Sequence, residues 1–315
     1  MFRLHGHIKV KTSLKRLKDQ IWKFRMKRLL AIIILCGGIC YLLVGCKGSD
    51  KLSFPEPPEA NTTESHVISL INTEGQTIAE RFDVPQGFTR QESEEKSFAF
   101  YLQNLPLKSD GTKVKYYDGR EKLGDVYLAV VDFNLGERDL QQCADAVIRL
   151  RAEYLYSEAR FNEIHFNFVN GFKAEFSKWA DGYGISVNGS QVSWINNSNN
   201  SSYESFQKYL DIVYTYASTL SLEKELIAKP LSDLAIGDVF IQGGSPGHCV
   251  IVVDMALNVS TGEKIFMLSQ SYMPAQDIQI LIGDHDGSPW FSASSGDILK
   301  TPQWTFKVSN LKTWE

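Results

Sequence analysis

The chain has 315 residues, and its 43% hydrophobic and 12% aromatic content is that of a globular protein, which excludes a disordered one. Its net charge is only −4, and a cluster of basic residues between Lys9 and Arg28 leaves the remainder more acidic still. No basic face is left for a polyanion, so nucleic acid is excluded as a partner.

The first element in chain order is an export signal. Cationic Met26-Lys27-Arg28 leads into an apolar run from Leu29 that ends in Leu43-Val44-Gly45-Cys46. The run is short for a membrane span, which takes about 20 apolar residues. It suits a signal-peptide core, with a small residue before Cys46 for the peptidase. The pattern resembles the lipobox of bacterial lipoproteins, which implies cleavage before Cys46 and lipid on its thiol. An uncleaved N-terminal anchor is the alternative, and both readings put the rest of the chain in the bacterial cell envelope, on the periplasmic face or the cell surface. Residues 1–45 are therefore expected to be the signal, with Met26 as an alternative start. Residues 46–61 form a lipidated tether, in which Pro55, Pro57 and Pro58 bar regular structure. Residues 62–315 are expected to be one globular domain.

Within that domain Ser97 to Leu102 predicts a short helix that ends before Leu105-Pro106. Val114 to Tyr117, the turn Asp118-Gly119 and Val126 to Val131 predict strand, turn and buried strand. Asp139 to Glu158 is the strongest helix in the chain, with Ala146, Leu150 and Tyr154 at helical spacing and Asp139/Gln142 as a capping-box variant. Ile164 to Val169 alternates like a strand and is closed by Asn170-Gly171. A polar loop, Asn196 to Ser202, precedes a second amphipathic helix from Tyr203 to Leu222. The last third is β-rich. Asp238 to Gln242 and Val250 to Val253 flank the turn Gly243-Gly244-Ser245-Pro246-Gly247-His248, and Lys264 to Gln270 follows. The fold class expected is α+β, a helix packed on an antiparallel β-meander with an N-terminal α/β elaboration.

Three residues combine into chemistry. Cys143 lies in the first turn of a capped helix, where free N–H groups and the helix dipole favour the thiolate. His248 begins a strand after a glycine-rich turn, and Gln270 is on the next strand within antiparallel reach. A thiol, an imidazole and a polar group that orients the imidazole make a cysteine-hydrolase triad. Asp254 and Ser271 are substitutes for the third member. Cys249 adjoins His248 on the strand, so its side chain is expected to face the other way, towards the core, which weighs against a disulfide with Cys143 if His248 faces Cys143; the spacing of the two cysteines by itself leaves a disulfide open. His66, His165, His248 and His285 show no metal-binding spacing, and the glycine turn lacks the Lys and helix of a phosphate loop, so neither metal nor cofactor is expected.

Gly237-Asp238-Val239-Phe240-Ile241 followed by Gly247-His248-Cys249-Val250-Ile251-Val252-Val253 is similar to the histidine strand of papain-like cell-wall cysteine hydrolases of the NlpC and CHAP types. The resemblance implies a papain-like fold, with Cys143 as nucleophile, His248 as general base and Gln270 as orienter. The Cys143 N–H would lie in the oxyanion hole. It also implies cleavage of peptide or amide bonds in peptidoglycan or another envelope polymer, and the long interval between Cys143 and His248 then requires an insertion. A broader resemblance, carried by Asp139 to Tyr156, Gly237 to Val253 and Gln270 to Ala275, is to an uncharacterised family of bacterial lipoproteins known as DUF4846. The competing expectation, from a different class, is a non-catalytic envelope lipoprotein that binds a glycan or a protein partner.

Overall fold

The computed structural model describes residues 70–315 except 125, 285, 286, 294 and 295. The expected signal, the tether and Cys46 lie outside the described residues. Everything below concerns the compact unit 66–315. Among the described residues no helix is long and apolar enough to cross a membrane.

The helices are α1 (Ile78–Arg81), α2 (Phe98–Gln103), α3 (Cys143–Ser157), α4 (Phe176–Ala180), α5 (Tyr203–Tyr216) and α6 (Thr219–Glu225). The strands begin with β1 (Thr89–Arg90), β2 (Tyr127–Val130), β3 (His165–Asn167), β4 (Lys173–Glu175), β5 (Tyr183–Asn188), β6 (Gln191–Asn196) and β7 (Ile227–Ala228). The C-terminal third holds β8 (Val239–Gln242), β9 (His248–Leu257), β10 (Lys264–Gln270), β11 (Gln279–Leu281), β12 (Trp290–Ser292), β13 (Ile298–Lys300), β14 (Thr305–Lys307) and β15 (Leu311–Thr313). The protein is thus mixed α+β with antiparallel sheets, as its composition of elements predicts. The main sheet runs β2-β11-β10-β9-β8-β15-β7, with β1 on β9 and β12 on β10. Its centre is the meander β8-β9-β10-β11.

Strand β9 explains why the sheet is where it is. Nine of its ten residues are buried, so it is covered on both faces and is apolar almost without interruption. Helix α3 packs on β9 and β10. On the other face Phe240, Phe266 and Phe306 pack in a row, with ring centroids 6.0 and 6.3 Å apart.

Two helix boundaries differ from expectation. Helix α3 starts at Cys143, not Asp139, because the box forms one turn later: Asp145 Oδ2 accepts the Gln142 N–H at 3.0 Å. Asp139 instead holds the loop after β10, accepting the Ala275 N–H at 2.7 Å and the Gln142 amide at 3.0 Å. The predicted helix 203–222 breaks after Tyr216. Ser218 is extended and its hydroxyl accepts the Leu220 N–H at 3.1 Å, so it caps a new helix, α6. The apolar period carries across the break, which is why periodicity alone misses it.

Between α3 and β8 the chain inserts the hairpins β3-β4 and β5-β6 together with α4, α5 and α6. Glu225, at the end of α6, ties this insertion to itself by accepting the Asn167 N–H at 2.8 Å. Burial pushes its carboxyl up from 4.5 to about 7, against the Asn167 hydrogen bond and Lys173, which lower it. The folded state therefore binds the proton more tightly, so this group favours folding most below pH 4.5 and loses that contribution as pH rises to about 7. Unfolding in urea at several pH values should show a decline across that window of at most about 3 kcal/mol from this group. Glu225→Gln, which keeps the acceptor, should flatten the decline; an identical slope in both proteins would refute the assignment.

Candidate active site

The site forms where α3 begins beside the end of β9. Register fixes which side chains share a face. His248 pairs with Gln242 and Cys249 with Ile241 across β8, while Ser269 pairs with Ile251 across β10. His248 and Gln270 consequently lie on the Phe306 face, and Cys249 on the face covered by α3.

The Cys143 thiol meets both neighbours. Strand alternation sends the His248 and Cys249 side chains to opposite faces, and Cys249 faces the core under the helix, as expected. Cys143 stands at the strand's end, where the His248 ring can also reach it. Both thiols are free and buried. Contact with the Cys249 thiol lowers the pKa of Cys143 most, and burial opposes it. The His248 ring, by hydrogen bonding and charge, and the Ala144 N–H lower it further, to about 5. The same contact, with burial as the larger cause, pushes Cys249 up. One thiolate is shared out in favour of the helix position, as the dipole at an N-terminus requires.

The His248 ring is held on several sides. Its Nε2 lies 2.8 Å from Gln270 Oε1. Tyr272, Trp304 and Phe306 pack round it at centroid distances of 4.8, 5.4 and 5.9 Å. Gln270 Nε2 donates to Gln303 Oε1 at 2.8 Å, and Lys122 Nζ donates to the same oxygen at 2.8 Å. The other two candidates for the third position are engaged elsewhere. Asp254 pairs with Arg90 at 2.9 Å and accepts from Gln103 at 2.7 Å, while the Ser271 hydroxyl bonds the carbonyls of Gln141 and Gln276.

Cys143 opens into a cleft of about 350 Å³ walled by Tyr214, Ser218, Thr219, the Gly244–Gly247 turn and Met273. The insertion builds one wall. Gly243 donates its N–H to Glu223 on α6 at 2.9 Å. A Cβ at Gly247 would stand 2.4 Å from Thr219 Oγ1, so only glycine allows the turn to lie against α6 and deliver His248. Asp145 lines the same cleft, and burial pushes its carboxyl well up, the charge of Cys143 adding to this against the Gln142 hydrogen bond.

The structure thus brings Cys143, His248 and Gln270 together on an α+β frame. The residues missed from sequence are Lys122, Tyr272, Gln303 and Trp304, which reach the site from loops and carry no local signal. Trp290 lies outside the site, buried with its N–H on the Asp83 carbonyl at 3.0 Å, and Trp194 packs against Phe172.

By fold and site the molecule is an α+β protein with a thiol, an imidazole and an amide assembled at one end of its main antiparallel sheet. Residues 78–313 match the family described as Domain of unknown function (4846), DUF4846, and the chain belongs to it. No curated protein and no solved structure matches the chain.

The geometry makes a reactivity prediction. Iodoacetamide should alkylate Cys143 quickly well below the usual thiol range of about pH 8.5. In His248→Ala the rate near pH 6 should fall by about tenfold or more. Peptide mapping in a Cys249→Ala protein assigns the reactive sulfur. Equal rates with and without His248 would show that the ring does not act on the thiol.

Proposed function

We propose that this protein is a lipid-anchored cysteine hydrolase of the cell envelope, cutting peptide or amide bonds of the kind found in peptidoglycan. The observation that carries the reading is the contact of an acidified helix-N-terminal thiol with an imidazole whose far nitrogen is bonded to an amide oxygen. A papain-like arrangement accounts for it. The nucleophile opens a helix, the histidine opens a strand of an antiparallel meander, and the orienting amide ends the next strand.

The chemistry follows from these atoms. The Cys143 thiolate attacks the carbonyl carbon, and the negative charge that develops on oxygen lies near the first N–H groups of α3, which have no acceptor within the helix. The imidazolium of His248 then gives its proton to the leaving amine, which departs and leaves a thioester on Cys143. Water attacks the thioester with His248 as base, releasing the acid and the thiol. Gln270 keeps the ring in the plane and tautomer this requires. The Cys46 anchor would hold the cleft at the membrane surface, with the proline-rich tether setting its reach.

Incubation of the protein with purified muropeptides should give cleaved stems by mass spectrometry. Cys143→Ala should lower the rate by at least about a thousandfold. No product from any muropeptide, with the wild-type protein co-sedimenting with insoluble peptidoglycan, would replace the enzyme by a binding protein. The anchor has its own test. The exported protein should carry acyl chains on residue 46 by mass spectrometry, and Cys46→Ser should abolish both acylation and membrane fractionation; an unmodified Cys46 in the membrane fraction would mean an uncleaved anchor.

A further inference from the structure

Lys122 is a buried cation with no carboxylate beside it among the described residues. It is 6% exposed, and its ammonium is met by Gln303 Oε1 at 2.8 Å, Gln279 Oε1 at 3.2 Å and the Tyr272 ring at 6.0 Å. Burial lowers its pKa to about 8. A buried ammonium without a counter-ion is costly, and packing alone gives no reason to keep one.

Its hydrogen bonds have a direction, and direction is what the site lacks without it. An ammonium only donates, so the atom Gln303 turns to Lys122 must be its oxygen. That oxygen also receives the Gln270 amide, so Gln270 turns its NH₂ outward and its oxygen toward the ring. The ring nitrogen that meets this oxygen, Nε2, must then carry a proton. Remove the cation and both amides can flip together. Every hydrogen bond in the row survives, but now Gln270 donates to Nε2 and the neutral ring carries its proton on Nδ1. The two arrangements are degenerate within the row itself, and only the ammonium separates them, because the flipped row would set an NH₂ against it.

We infer that Lys122 is a positioning residue which, through the amides of Gln303 and Gln270, holds His248 as the tautomer protonated on Nε2 with its other nitrogen free to take the Cys143 proton. The inference rests on the triad reading given above but concerns a different residue and a different property. It deepens that reading by accounting for the imidazolium as well: a ring protonated on both nitrogens needs an acceptor at Nε2, which only the unflipped row supplies.

The test reads the tautomer directly. In the full-length Cys143→Ala protein labelled with ¹⁵N-histidine, near pH 7.5, long-range proton–nitrogen correlation should show His248 protonated on Nε2. Adding Lys122→Met should convert this to a mixture with the Nδ1-protonated form. Gln303→Met, which leaves the cation and cuts the row, should do the same and serves if the lysine variant fails to fold. With Cys143 intact, each variant should slow alkylation at neutral pH by about tenfold. A ring that stays protonated on Nε2 alone in both folded variants overturns the inference, whatever the protein hydrolyses. A shifted tautomer in a protein that cleaves no muropeptide supports the positioning role and removes the enzyme, so the two failures are told apart.

Discussion

The pairing of β9 with its neighbours is the constraint on which the rest of the structure depends. Its register puts His248, Gln270 and Gln279 side by side on one face, because His248 shares the face of Val250, opposite Gln270, and Gln270 pairs directly with Gln279. A slip of β9 by one residue would carry His248 to the face under α3, away from Gln270, and bring Cys249 into its place. On that face the polar groups lie beside the apolar packing of Phe240, Phe266 and Phe306, and the Phe306 ring stacks on His248.

The consequence is a site whose parts come from separate layers. The thiol belongs to the helix layer and the imidazole to the far face of the sheet, and they meet only at the strand's end. The insertion between α3 and β8 supports that end from outside: α6 holds the glycine turn through Glu223, and Thr219 stands too close to Gly247 for any side chain there. Asp139 performs the corresponding task on the other side, tying the start of α3 to the loop that follows β10. Both ends of the thiol–imidazole contact are thus fixed by elements that contribute no reacting atom.

This division explains what could be read from sequence. Cys143, His248 and Gln270 each sit at the end of an element with a strong local signature, so their relation followed from helix start, glycine turn and strand length. The α+β class followed from the order of elements, and β10 was expected at its observed bounds, Lys264–Gln270. What failed were features decided by competition between a local pattern and a single side chain. The helix break at Ser218 lies within an unbroken apolar period, and a serine hydroxyl decides it. The start of α3 was assigned to Asp139 because that residue caps well, yet the Ala275 N–H claims its carboxylate from another part of the fold. For Cys249 the alternation rule held, and facing away from His248 means facing the core under α3. Lys122 and Gln303 had no pattern to be found by. Each lies in a loop, distant in sequence from His248, and is brought to it only by tertiary packing.

The polar row also bears on why such a site tolerates burial. His248 is 1% exposed and Gln270 and Gln279 are fully buried, so each unmet donor or acceptor among them would cost about 1–3 kcal/mol. The row meets this by running to a defined end at either side. Lys122 supplies donors to both Gln303 and Gln279, and the Gln279 amide passes on to Gln276 at 3.2 Å, which in turn donates to the Pro274 carbonyl at 3.0 Å. Every amide in that chain has one orientation once the ammonium is in place. A carboxylate in the position of Gln270 would orient the ring equally well, but it would neutralise the lysine and add a negative charge opposite the thiolate. Amides transmit direction without adding charge, which leaves the charge separation between Cys143 and His248 to be set by the helix terminus and by the Cys249 thiol beside it.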